Sequence, residues 1–480
     1  MKKNYLYNLV LSLSNILFPI LSFPFASRVL GPEGIGKVQL STTFAQYFGL
    51  IAALGIPIYG IQEIAKHRHH KQELSKVFSE LFGIYFLSSL VVALFYYIII
   101  SVFPIFQLHY GLYLYAGIIV LFGFTTLDWV YAGLEKYRII TIRSISIKAF
   151  ALLLLYLLVN DSSDVLYFLL ITIFSMMGNN IISLFYINKH THIVFKELNL
   201  KKHIRPLGFI FATTMAASMY TYLDTLLLGF LSNETAVGYY TAAIKLTKIA
   251  IPFITAAGFV LIPKFSIQSN NNNQVGVQEL LNQSWHYIVF FSVPISVGLF
   301  SFAKEFIIVF SGDAFMQAIP TMQLLSALPF LIGLGYFFAF QVMVPMGKQK
   351  EMFYSVLVGM CISLALNFIL IPLFQANGTA ITSIVTEVVV TSLYFYFVTK
   401  QLSYSYNWSL VIKSIASCVL FIPIAIVLRH FNVHNIIILP IGIAACVVIY
   451  FCTQYYIFKD KYIKQIIAQL QQKIFNTNHE

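Results

Sequence analysis

The chain has 480 residues, of which 59% are hydrophobic and 10% charged, with a mean hydropathy of +0.80. So little polar surface cannot cover a water-soluble globule of this size, which excludes a soluble fold and makes a membrane the solvent. A net charge of +12 would point to nucleic acid in a soluble protein; here the lysines and arginines sit between apolar runs, where they set orientation, so no nucleic-acid partner is expected.

Apolar stretches of the ~20 residues that carry an α-helix across roughly 30 Å of hydrocarbon recur from one end of the chain to the other. ALLLLYLLV (151–159) is apolar on every side, unlike the alternating strands of a membrane β-barrel. The expected fold is therefore an all-α polytopic membrane protein with about fourteen transmembrane helices. In chain order, spans are read at 6–27, 38–61, 78–103, 111–133, 144–160 and 165–187; then at 207–231, 237–262, 280–303, 318–343, 352–374 and 378–399; and finally at 409–428 and 436–457. The apolar start is longer than the core of a signal peptide and is read as a retained span. Charge supports the count: with the N-terminus inside, only Arg28, Lys37, Lys304 and Arg429 fall in outer loops, and only Lys148, Lys245, Lys248 and Lys413 in spans. All other basic residues lie inside, as short loops require.

The two halves echo each other. A shift of 202 sets GPEGIGKV (31–38) on NETAVGYY (233–240), and a shift of 212 sets GLEKYR (133–138) on PMGKQK (345–350). The extra ten residues trace to the polar insertion SNNNNQVGVQ (269–278), read as a solvated loop. Repetition after an even number of crossings gives two six-helix lobes of like orientation, related by a pseudo-twofold axis along the membrane normal, with a cavity between them. The expected organisation is an N-lobe over 1–188 (helices 1–6), a cytoplasmic inter-lobe linker over 189–206, a C-lobe over 207–400 (helices 7–12), helices 13–14 over 401–458 and a cytoplasmic amphipathic tail over 459–480. Gly31, Pro32, Gly34 and Gly36 are expected to form a tight outer turn between the first two spans.

Ionisable residues inside spans are costly and so are candidates for function. Arg28, at the outer end of the first span, either snorkels to headgroups or faces the cavity as an anion ligand. Lys245 and Lys248 lie three apart on one helix face, an arrangement that suits a hydrated cavity or an anionic partner. Asp224, within MYTYLDTLLLG, either carries a proton or ion between cavity states or braces a lysine. Asp128 and Glu387 are the further candidates for coupling. Lys148 and Lys413 are read as snorkelling. The histidines of KHRHHK (66–71) sit among basic residues that repel a cation, and Cys361, Cys418, Cys446 and Cys452 show no paired spacing; no metal and no cofactor are expected. Short outer loops and the lack of any catalytic signature speak against an enzyme.

Four stretches carry a resemblance: SRVLGPEGIG (27–36), YFGLIAALGIPIYGIQEIAKHR (47–68), WVYAGLEKYR (129–138) and VPMGKQKE (344–351). In these, and over most of its length, the chain resembles the Wzx-type polysaccharide flippases of the multidrug/oligosaccharidyl-lipid/polysaccharide exporter superfamily. The resemblance implies a flippase that moves undecaprenyl-diphosphate-linked oligosaccharides from the inner to the outer leaflet of the bacterial cytoplasmic membrane. It makes a lipid-linked oligosaccharide and membrane lipids the partners, with a polysaccharide polymerase or glycosyltransferases as possible associates, and both termini cytoplasmic. Arg28, Lys245 and Lys248 would then line a cationic cavity for the diphosphate. The alternative is an ion-coupled multidrug exporter on the same fold, which calls for a carboxylate-rich first lobe.

Overall fold

The computed structural model describes residues 2–195, 198–270, 274–400, 406–431, 434–460 and 464, and every regular element among them is helical. Ten helical stretches among the described residues are long and apolar enough to cross a membrane. Two of them, Leu6–His67 with 62 residues and Gln349–Thr399 with 51, exceed twice the ~20 residues of one crossing. The first is broken at Gly31 (φ 68°, ψ −178°) and the second at Gln375 (φ 51°, ψ −125°). The chain divides into two compact units, one of residues 1–241, 310–315 and 363–379, the other of 242–309, 316–362 and 380–480.

The first unit is built on α1 (Lys2–Ala53), α2 (Ile56–His67), α3 (Lys71–Val102), α4 (Tyr110–Ala116), α5 (Ile118–Leu121), α6 (Asp128–Gly133), α7 (Tyr137–Leu158), α8 (Val165–Ile187), α9 (Lys201–Leu231) and the start of α10 (Glu234–Asn270). Its core gathers Ile56, Tyr59, Phe78, Leu81, Trp129 and Tyr131, so α2, α3 and α6 close around large rings. Three local expectations change here. The outer turn of α1 is the single residue Gly31, whose left-handed φ lets Pro32 restart a helix at once; Gly34 and Gly36 are already helical. The expected span 111–133 is not continuous: it runs through α4 and α5, then a 3₁₀ turn at Gly123–Thr125 and α6. Thr125 donates its hydroxyl to the Phe122 carbonyl (2.6 Å), and Asn180 of α8 donates to Thr126 Oγ1 (3.0 Å), so side chains compete with the helical ladder at the break. Third, α7 begins at Tyr137, which places Arg143 inside the helix and buried, where the sequence put it in the inner loop.

The linker after α8 is strapped to α3. Thr191 donates to Ser75 Oγ (3.1 Å), the Val194 amide to Ser79 Oγ (2.7 Å) and the Asn199 amide to Glu80 Oε1 (2.8 Å). Glu80 also receives His203 Nε2 at 3.0 Å and Lys202 Nζ at 2.7 Å, while Tyr59 Oη meets His203 Nδ1 at 2.9 Å. A buried carboxylate with this many donors is compensated, which fixes the strap to the bundle. At its start, His190 lies 3.0 Å from Lys136 Nζ through Nδ1. Burial, then the Lys136 charge, holds its pKa below the ordinary 6.5. The unfolded chain therefore binds the proton first, and this site loses stability as pH falls through about 6.5. Thermal melting between pH 7.5 and 5 is expected to show a smaller acid-side loss in His190→Gln than in the unaltered protein; identical pH profiles would remove this assignment.

The second unit holds the rest of α10, then α11 (Gln274–Ser301), most of α12 (Ala303–Ser311), α13 (Ile319–Leu325), α14 (Leu328–Tyr336), much of α15 (Gln349–Thr399), α16 (Trp408–Cys418), α17 (Phe421–His430) and α18 (Asn435–Cys452). Trp285, Phe337, Phe338 and Phe421 lie at its core. Arg429 of α17 grips Glu305 of α12 with both Nε (2.7 Å) and Nη2 (2.8 Å), and also donates to the Ser301 carbonyl (2.8 Å), a planar fork fitted to a carboxylate. The polar insertion is shorter as a loop than its composition suggested, because α10 runs to Asn270 and α11 starts at Gln274. The expected amphipathic tail lies outside the described residues from 461 onward, except for 464.

One turn occurs in both units. Glu135 (φ 58°) and Gly347 (φ 72°) are both left-handed. The amides that follow them, of Lys136 and Lys348, reach the carbonyls of Tyr131 and Met343 at 2.8 and 2.9 Å. The next helices then begin at Tyr137 and Gln349. These pairs are related by the same shift of 212 that aligned GLEKYR with PMGKQK.

Candidate functional site

At the outer end of the first unit, the break at Gly31 brings the restarted half of α1 against the start of α10. A Cβ on Gly36 would overlap the Glu234 carbonyl and lie 3.0 Å from the Gly238 amide nitrogen; one on Gly238 would overlap the Pro32 carbonyl. Gly36 and Gly238, equivalent under the shift of 202, thus meet backbone to backbone, the small-residue contact by which membrane helices approach most closely. Beside it, Lys37 pairs with Glu33 at 2.5 Å and His109 with Glu234 at 3.5 Å. Arg28 stands just before the break, exposed, with Nη1 donating to the Pro24 carbonyl at 2.6 Å.

Asp224, on α9, is buried. Its Oδ1 accepts from Asn367 Nδ2 (2.8 Å) and Ser363 Oγ (3.3 Å) of α15, and its Oδ2 from Tyr240 Oη of α10 (3.4 Å). These uncharged donors make a polar pocket in which a carboxylate can exchange a proton or hold a small cation. The sequence singled out Asp224 and passed over Asn367 and Ser363, although an amide within an apolar span was a signal to read.

Asp128 opens α6 and is ion-paired with Arg143 of α7. Arg143 reaches Ser183 of α8 as well, and its guanidinium lies 5.2 Å from the Tyr131 ring centroid. The pair braces three helices. Lys245 and Lys248 lie on α10 in the second unit, the former half-buried and the latter exposed. Glu387 of α15 is buried there too, with Gly335 and Thr391 beside it.

Lys148 departs from expectation. It lies about 16 Å along α7 from Tyr137, at 1.5 Å per residue, too deep for its stem to reach the inner headgroups. Its ammonium is hydrogen-bonded to Asn15 Oδ1 of α1, with Ser14 Oγ at 3.5 Å. Elsewhere along the same helix pair, Thr141 donates to the Tyr7 carbonyl at 2.9 Å. A charge at mid-membrane costs about 3 kcal/mol on insertion scales, whereas an interhelical hydrogen bond there returns ~0.6 and at most about 2 kcal/mol. As glue between α1 and α7, a lysine is the poorer choice; the neutral Thr141 does that work without the cost.

The family of polysaccharide biosynthesis proteins matches residues 1–268, more than half of the chain. The chain belongs to the polysaccharide biosynthesis protein family. The flippase resemblance read from its four stretches is thereby borne out. Across 402 residues the family member is 27% identical to a protein of Escherichia coli (strain K12) named as an O-antigen transporter, covering 83% of this chain and 96% of that one. Among solved structures, an inward closed conformation of the lipid II flippase MurJ superposes with a TM-score of 0.66 at 16% identity, over 93% of this chain and 99% of that one. An inward-facing multidrug resistance transporter of the MATE family superposes with a TM-score of 0.63 at 14% identity, over 81% and 94%. Identities this low establish the shared fold of a multi-pass membrane transporter and leave cargo to other arguments.

Proposed function

We propose that this polysaccharide biosynthesis protein flips undecaprenyl-diphosphate-linked oligosaccharide units from the inner to the outer leaflet of the bacterial cytoplasmic membrane, by alternating access, for surface polysaccharide assembly. The observation that carries the reading is the O-antigen transporter match over nearly the whole of that relative. The fold likeness to a lipid II flippase agrees with it. The reading takes fourteen crossings in two like-oriented six-helix lobes with two further helices, and both termini cytoplasmic; the shared turn at Lys136 and Lys348 supports the repeat. A polymerase or glycosyltransferase is the partner that would use or supply the cargo. The chain acts as a transporter and not as an enzyme.

A lipid diphosphate bearing a glycan cannot cross hydrocarbon unaided. Arg28, Lys245 and Lys248 supply positive charge to its headgroup while the polyprenyl tail stays in lipid. With two negative charges, outward movement down an inside-negative potential gains ~2.3 kcal/mol per charge per 100 mV, so the field favours export. Asp224 is the coupling carboxylate if a proton or sodium ion adds to that drive. Asp128 is ion-paired and Glu387 lies in the other unit, and both rank behind it. A drug exporter on the same fold is the second reading, favoured by the MATE likeness alone.

The test is deletion of the gene followed by complementation. Lipid-linked glycan is expected to accumulate on the inner leaflet, and Lys245→Ala combined with Lys248→Ala to fail to clear it. Full clearance by that double variant would remove the lysine site. No accumulation on deletion would favour the drug exporter.

A further inference from the structure

The inner half of α1 exposes two roughly opposite faces. Leu6, Leu9, Leu13, Leu17 and Leu21 make one, and all are exposed. At the ~100° per residue of an α-helix, Asn4, Asn8, Ser12 and Asn15 make the other; Asn8, Ser12 and Asn15 are exposed and Asn4 is half-buried. An apolar stripe of this kind suits lipid, while a row of amides and a hydroxyl suits water or a hydrated ligand, because hydrocarbon offers them no partner. The polar row climbs from the inner end of α1 and stops at Asn15, where it meets the Lys148 ammonium. That ammonium has three donors, two of them directed at Asn15 and Ser14.

We infer that Lys148, positioned by Asn15, is a mid-membrane binding group for the diphosphate of a polyprenyl-linked cargo, and that Asn4, Asn8 and Ser12 receive the hydroxyls of the attached sugar on its way there. The inference rests on the flippase reading and adds a headgroup site within the first unit. A compact ammonium held by neutral acceptors keeps its full charge for an anion, whereas a carboxylate partner would cancel it. Amide side chains both donate and accept, which is what sugar hydroxyls require. The mid-membrane cost of the charge is several times the return from the Asn15 bond, and an anionic ligand supplies the missing interaction.

Two variants separate a ligand site from a staple. Lys148→Gln keeps a polar contact to Asn15 and removes the charge. Asn15→Asp strengthens the helix contact by an ion pair and cancels the charge. Binding of a polyprenyl diphosphate, with the matching polyprenol as control, is measured by native mass spectrometry of the full chain in nanodiscs, alongside its melting temperature. Loss of one charged hydrogen bond is worth ~10-fold or more in affinity. Both variants are therefore expected to bind the diphosphate at least about tenfold more weakly, with Asn15→Asp melting no lower than the unaltered protein and Lys148→Arg binding normally. Unchanged diphosphate binding in either charge-cancelling variant would overturn the inference. Should the unaltered protein prefer the diphosphate no more than the polyprenol, the flippase reading itself fails, which is a distinguishable result.

Discussion

Gly36→Val is expected to abolish export while leaving the protein in the membrane at near-normal yield. The added carbons would enter the space of the Glu234 carbonyl on the facing helix. Backbone atoms cannot swing aside as a side-chain tip can, so α1 and α10 must part at their outer ends. Overpacking against side chains typically costs 1–3 kcal/mol, and against backbone on both helices the cost should reach or exceed the top of that range, roughly a hundredfold shift in the closed population. Gly238→Ala should act in the same direction, since its Cβ would overlap the Pro32 carbonyl. Complementation of the deletion gives one readout. The second is labelling of Val237→Cys, a buried position, with an impermeant maleimide from outside, after replacement of the four native cysteines. Labelling should rise in the Gly36→Val background. Normal export by Gly36→Val would show that the outer contact need not close.

Asp128→Ala is expected to destabilise the protein by about 3–5 kcal/mol, the usual result of leaving one member of a buried ion pair behind. The two partners are unequal. Side-chain exposure is 3% for Arg143 and 42% for Asp128, so removing the aspartate strands a buried guanidinium, while removing the arginine leaves a carboxylate that water can reach. Arg143→Ala should therefore cost less, about 1–2 kcal/mol, nearer to one charged hydrogen bond. Asp128→Ala with Arg143→Met should recover most of the loss, because neither charge then remains unpaired. Melting of the purified protein in detergent checks the order: Asp128→Ala lowest, the double variant above it. A double variant as unstable as Asp128→Ala would mean that the pair is not what holds α6, α7 and α8 together.

Much of the architecture follows from composition and periodicity alone. Apolar runs of membrane length can only be helices, since a backbone in hydrocarbon must satisfy its own hydrogen bonds, and the placement of Lys and Arg orders the loops. The outer break near Gly31 and the turns at Glu135 and Gly347 were legible because glycine, proline and a repeated motif mark positions where the backbone leaves helical geometry. The repeat even pointed to Gly36 and Gly238, although as equivalents and not as neighbours.

Other features were decided only by packing. Sequence alone placed Arg143 in a loop and let Lys148 snorkel, because charge statistics average over partners: Asp128 and Asn15 lie far away in the chain and become neighbours only when α6, α7 and α1 assemble. Asn367 and Ser363 look like minor polar residues until α15 sets them against Asp224. The run at 111–133 is apolar enough for one helix, yet Asn180 and the threonines give its backbone alternative partners and it breaks. Hydrophobicity is a sum along the chain and can be read from it, whereas the fate of each buried charge depends on which donors and acceptors the fold brings within about 3 Å.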